Sequence, residues 1–145
     1  MSGLNKPAPG TPGDWLRHAK SDLAVARDVE RNPDVLPNQP AFHAQQAAEK
    51  AIKAVMIHEG IAFPLTHDLS DLIKRWLNSG RVWPAALTNV KTLNPYAVES
   101  RCPGYIHQLS QAEVKAAIEL AEQTVAWAET ILNPKQPTVP GVPPP

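Results

Sequence analysis

The chain predicts an all-α fold, a compact up-and-down bundle of about five helices, and three observations carry that expectation. Apolar residues recur at spacings of three and four through most of the 145 residues, the period of a helix that buries one face. No segment alternates apolar and polar residues for more than a few positions, as a half-buried strand would. Prolines and glycines interrupt the periodic stretches at intervals that leave only short connections between helices.

The first helix is expected from Asp14 to about Arg31, where Leu16, Ala19, Leu23 and Ala26 form the stripe and Arg17, Lys20, Arg27 and Asp28 lie elsewhere. Pro33, Pro37 and Pro40 stop it and make residues 32–40 a loop. An alanine-rich second helix should run from Pro40, suited to a first helical turn, to Glu59, with Gly60 as its stop. The third covers Asp68 to Leu77, capped by Thr66, with acids in its first turn, bases in its last and Asn78-Ser79-Gly80 behind it. A fourth begins near Trp83 or Pro84 and reaches Ser100, kinked or split at Pro95. Ser110 caps the fifth and pairs with Glu113 in a capping box. Val114, Ala117, Leu120, Ala121, Val125 and Ala128 carry its stripe to about Leu132, and Asn133-Pro134 closes it.

The folded body is therefore expected at residues 14–132, about 120 residues and enough for one core. Residues 1–13 hold Pro7, Pro9 and Pro12 among small and polar residues with no apolar period. Residues 133–145 read NPKQPTVPGVPPP. Both ends are expected to be disordered, the second as an extended polyproline-like tail able to sit in an aromatic groove of a partner protein. There is no internal repeat.

Fourteen basic and fourteen acidic residues cancel, so the chain lacks the broad positive field that holds long nucleic acids non-specifically. Any contact with RNA or nucleotide must be local. The single cysteine, Cys102, excludes an internal disulfide framework and any multi-cysteine zinc site, and fits a reducing compartment. No apolar run reaches the roughly 18 residues of a membrane span, and no secretory signal opens the chain. A cytoplasmic protein without membrane partners is expected.

Residues 94–104, Asn-Pro-Tyr-Ala-Val-Glu-Ser-Arg-Cys-Pro-Gly, place Tyr96, Glu99 and Arg101 on a helical ending that Pro103-Gly104 stops, and His107 follows. A permanently charged guanidinium and an imidazole that titrates near neutrality are a minimal kit for phosphate chemistry: one stabilises anionic oxygens, the other moves protons. On the second helix Gln45, Glu49 and Lys53 are four apart and form a row flanked by alanines. The residue types favour a solvated face with a Glu49–Lys53 ion pair over the polar wall of a site. In Thr66-His67-Asp68 a capping role for Thr66, with His67 filling the corner, is favoured over acid/base work. His18, His43 and His58 form no ligand pair, and no metal site is expected. Trp15, Trp76, Trp83 and Trp127 are spread over four segments without a basic stripe, as packing residues are. Cys102 reads as a small apolar residue rather than a nucleophile.

Four blocks taken in order, Trp15 to Ala26, Phe42 to Ala54, Phe63 to Leu69 and Tyr96 to Gly104, resemble the HEPN domain family over nearly the whole body. The strings Phe-His-Ala-Gln-Gln-Ala-Ala-Glu-Lys and Tyr-Ala-Val-Glu-Ser-Arg-Cys-Pro-Gly carry most of the likeness. The resemblance implies a helical bundle that usually forms a two-fold dimer. It also implies pairing with a minimal nucleotidyltransferase as toxin and antitoxin, and no cofactor. Many members are metal-independent ribonucleases with an Arg followed by a His a few positions on, a pattern that Arg101 and His107 match. It implies Arg101 and His107 as catalytic residues and Tyr105 as a candidate for nucleotide attachment by the partner enzyme. The alternative is a non-catalytic module that binds nucleotide or a partner protein. There Gln45, Glu49, Lys53 and Arg101 would form a recognition pocket, or a structural network in which Arg101 bonds to Glu49, Asp22 or Glu99.

Overall fold

The computed structural model describes residues 10–99 and 109–134. Within them the chain forms an all-α bundle of five helices and two short 3₁₀ turns. Helix α1 is Pro12–Val29, α2 Asn38–His58, α3 Leu69–Asn78, α4 Tyr96–Glu99 and α5 Gln111–Leu132. No helix among the described residues is long and apolar enough to cross a membrane.

Local signals explain most of the boundaries. Helix α1 starts two residues before the expected Asp14 because Thr11 and Asp14 form a reciprocal capping box, with Pro12 in the first helical position. Helix α2 also starts early, at Asn38, so Pro40 lies inside the first turn, where its missing N–H costs nothing. It ends in a left-handed Gly60 at φ 72°, with Gly60 N–H donating to Ile57 O and Ile61 N–H to Met56 O. Helix α5 carries the expected Ser110–Glu113 capping box and ends with Asn133 at its C-cap.

Two expectations are corrected. Asp68, not Thr66, caps α3: its carboxylate accepts from Ser70 N–H, while the Thr66 hydroxyl accepts from Asp68 N–H one step earlier. The single fourth helix is absent. Residues Ala85–Leu87 and Val90–Leu93 are 3₁₀ turns, and only Tyr96–Glu99 is α-helical. The Thr88 and Thr92 hydroxyls donate back to Ala85 O and Asn89 O at 2.7 and 2.6 Å, and Pro95 offers no N–H to continue the ladder. The Asn94 side chain is drawn to α3 instead. Its Oδ1 accepts from Leu69 N–H at 2.8 Å, and its Nδ2 donates to Asp68 Oδ1 at 2.9 Å.

Helix α2 is the centre of the molecule, packing most extensively on α1 and α5 and touching α3 and α4 as well. Ala41, Ala44, Ala47, Ala48, Ala51 and Ala54 are all fully buried, which lets neighbouring backbones approach closely. Leu16, Ala19, Leu23 and Ala26 of α1 and Val114, Ala117, Ala121, Val125 and Ala128 of α5 face this core, as their spacing predicts. Trp76, Trp83 and Trp127 close one end. Their rings meet edge to face with centroids 5.1 to 6.4 Å apart, a favoured geometry for aromatic pairs.

Candidate functional site

The row on α2 is not a solvated face. Gln45, Glu49 and Lys53 are 0, 2 and 5% exposed. Their spacing of four aligns them, and groups distant in sequence cover them: Trp15 from α1, and Phe63, Thr66 and His67 from the α2–α3 connection. Glu49 is the hub. Its carboxylate accepts from Gln45 Nε2 and from Lys53 Nζ, both at 3.1 Å, and lies 3.1 Å from His67 Nδ1 through each oxygen. Lys53 Nζ also donates to Thr66 O at 2.8 Å and lies 5.7 and 5.6 Å from the Trp15 and Phe63 ring centroids. Gln45 accepts from Gln46 Nε2 at 2.6 Å. The buried anion and cation are thus paired and hydrogen-bonded, which is what burial of charge requires.

Asp22 does not join this row. Its carboxylate accepts from Lys50 Nζ at 2.6 Å and from His43 Nδ1 at 3.0 Å, forming a separate cluster between α1 and α2. The His43 ring packs edge-on against Phe42. His67 does not fill a corner. Its side chain is 65% exposed, with only the Nδ1 edge held against Glu49.

Beside these clusters, Gly10, Asp14, Trp15, Arg17, His18 and Lys50 line a cleft of about 470 Å³ at the start of α1. Asp14 is the acid among three basic residues. The Thr11 hydrogen bonds of the capping box hold its carboxyl below the usual carboxylate range, with smaller help from the charges of Arg17 and His18. Among the described residues no group of three or more His, Cys, Asp or Glu is placed to hold a metal ion.

The structure therefore brings together Gln45, Glu49 and Lys53 and sends Asp22 elsewhere. Arg101, Cys102, Tyr105 and His107 lie outside the described residues; Glu99 is the last residue of α4. The tails at residues 1–9 and 135–145 lie outside them as well. Sequence reasoning missed Lys50 and His43 as partners of Asp22 and Glu49 as the partner of His67. The first pair carries a faint signal, because Asp22 needs a cation once α1 packs on α2. The second carries none, because the two residues are 18 positions apart.

A domain model described as the HEPN domain matches residues 13–131. The chain belongs to the HEPN family. One sequence relative and two solved structures resemble this HEPN protein. It is 28% identical over 130 residues to the Methanocaldococcus jannaschii protein named "Putative toxin MJ1304", covering 82% of each chain. The crystal structure of TT1696 from Thermus thermophilus superposes with a TM-score of 0.69 at 26% identity, covering 81% of this HEPN chain and 95% of the other. The structure of ST0689, an archaeal HEPN homologue, superposes with a TM-score of 0.67 at 23% identity, covering 83% of this chain and 97% of that one.

Proposed function

We propose that this HEPN protein is the toxin-like half of a toxin–antitoxin pair with a minimal nucleotidyltransferase, and that it cuts RNA without a metal through Arg101 and His107. The observation that carries the reading is the pairing of that Arg and His, five residues between them, within a chain of the HEPN family. The name of the Methanocaldococcus relative supports the toxin role. His107 withdraws the 2′-OH proton or protonates the leaving oxygen, and Arg101 stabilises charge growing on the phosphoryl oxygens. In a two-fold dimer two such sets face each other across the axis.

The test is cleavage of a labelled RNA by the full chain in the presence of EDTA. Arg101→Ala and His107→Ala should each lower the rate on the order of 10²-fold or more. An unchanged rate in Arg101→Ala would sink the reading. Co-purification with the neighbouring gene's product tests the partner.

A second reading is favoured by the cleft at the start of α1. Its three basic residues and the Trp15 indole suit an anionic ligand with a flat ring, as a nucleotide-binding HEPN module requires. Calorimetry with ATP, and loss of binding in Lys50→Ala with folding intact, separates that reading from the first.

A further inference from the structure

We infer that the cleft at the start of α1 is a site for phosphate-bearing anions whose affinity is coupled to a proton on His43, with Lys50 and Asp22 as the connection. The inference rests on the nucleotide-binding reading above and assigns the regulation of that same cleft. Lys50 belongs to two structures at once. It lines the cleft with Arg17 and His18, and its Nζ donates to Asp22 Oδ2 at 2.6 Å. The other Asp22 oxygen, Oδ1, lies 3.0 Å from His43 Nδ1. An anion in the cleft and the His43 ring are therefore linked by one ammonium and one carboxylate.

The ammonium has donors to spare. Lys50 carries N–H groups beyond the one it gives to Asp22, and among the described residues no other acceptor holds it. A phosphate oxygen arriving in the cleft takes one of them, and Lys50 then divides its charge between ligand and Asp22. Asp22 tolerates that poorly, because its side chain is only 14% exposed and water does not replace the cation it loses. His43 is the group in place to compensate. Asp22 is acceptor-only, so Nδ1 carries the hydrogen of the neutral ring, and a second proton on Nε2 makes the ring the cation that the carboxylate needs. That proton comes from solvent. The bound anion adds its own negative field, which acts in the same direction.

The surrounding charges leave this connection intact. On α1, Asp14 is bonded to Thr11 and lies 3.4 Å from Arg17, while Lys20 and Arg27 turn to Glu129 and Glu122 of α5. His18 lines the cleft itself, so it responds to the anion without Asp22. On α2, Glu49, Lys53 and His67 repeat the composition of Asp22, Lys50 and His43, a carboxylate between a lysine and an imidazole. They lack the access. Lys53 is 6% exposed, bonded to Thr66 O and close to the Trp15 and Phe63 rings, whereas Lys50 is 26% exposed and opens on the cleft. Of the two trios, the one with Asp22 has the lysine that a ligand can reach. Anion binding then takes up a proton, and by linkage a proton on His43 tightens the anion.

The experiment measures ATP binding to the full chain by calorimetry in EDTA at about pH 8 and about pH 6, either side of the imidazole range. It compares wild type, His43→Gln, His18→Gln and, as a control, His58→Gln, with thermal melts to confirm folding. Protonation of ATP itself is common to all four proteins, so the comparison isolates each imidazole. The gain in affinity on going to the lower pH should be about fivefold or more larger in wild type than in His43→Gln, and equal within about twofold in wild type and His58→Gln. Nitrogen-15 spectra of the histidine rings near neutral pH should show ATP moving His43 toward its doubly protonated form in wild type but not in Asp22→Asn. A purely structural Lys50–Asp22 pair would produce no such response. If wild type binds ATP and His43→Gln keeps the wild-type gain, or the gain is lost in His18→Gln alone, this inference fails while the nucleotide-binding reading stands. A His43 signal in wild type that does not move at saturating ATP overturns it equally, even where a variant does not fold. A response that persists in Asp22→Asn overturns the coupling through Asp22. If wild type binds no ATP at either pH, the nucleotide-binding reading fails and the inference falls with it.

Discussion

The Glu49 carboxylate stands 3.1 Å from the Lys53 ammonium one helical turn away, with the two side chains only 3 and 6% exposed. A pair withdrawn this far from water differs from the surface i,i+4 pairs it resembles in sequence. Desolvation is costly for each ion, and neither tolerates losing its partner.

Glu49→Leu should therefore lower the unfolding free energy by about 3–5 kcal/mol, because Lys53 loses its counter-ion and keeps only the Thr66 carbonyl and the faces of Trp15 and Phe63. Glu49→Leu combined with Lys53→Met should recover part of that loss, since two apolar residues of similar size leave no stranded charge. Urea denaturation of the four species closes the cycle, and purely additive losses would contradict the pairing.

Replacing Asn94 by Ala should cost about 1–3 kcal/mol, since it leaves Leu69 N–H without its acceptor and frees Asp68 and Ser70. Hydrogen exchange should quicken first at the start of α3. Exchange that rises evenly over the whole molecule would argue against this local role.

The aromatic end of the bundle should be sensitive to Trp76. Its ring is 4% exposed, its indole N–H donates to Val82 O at 3.0 Å, and Arg81 lies over it at 5.6 Å from the centroid. Trp76→Ala should destabilise by roughly 3–5 kcal/mol and Trp76→Phe by less. Fluorescence of the remaining tryptophans reports the loss, and a melting temperature unchanged in Trp76→Ala would refute it.

Acid should fray α1 at its beginning. The Asp14 carboxyl is held below its ordinary range by Thr11, so its contribution is complete above the unfolded carboxylate pKa and is lost as pH falls through the lower folded value. Amide resonances of Thr11 and Asp14 should follow that titration, and Thr11→Ala should abolish the response. Amide shifts that persist in Thr11→Ala would place the effect elsewhere.

How much of this was legible depended on where each partner lies. The box of Ser110 with Glu113 is local, and so are the glycine stop at Gly60 and the stripes of α1 and α5, so spacing alone locates them. The segment after Trp83 defeated the same reasoning because Asn94 is recruited by α3 and two threonine hydroxyls return to their own turns, none of which a periodicity records. The polar row on α2 is visible as a row, yet its burial depends on Trp15, Phe63 and Thr66, which arrive from other elements. His67 is the sharpest case. The acid beside it in the sequence serves the helix, and the acid that holds it comes from the middle of α2.

Helix α2 has one more consequence for the assembly of the bundle. Its six fully buried alanines leave α2 smooth over much of its surface, so that apart from Ile52, Val55 and Met56 few of its apolar side chains interlock with its neighbours. Rotating it by a quarter turn, or advancing it by one residue, would carry Glu49 out from under His67 and Thr66 and leave a carboxylate facing alanine methyls. The polar row thus acts as a key on a round shaft: it adds little grip, but it admits a single angular setting.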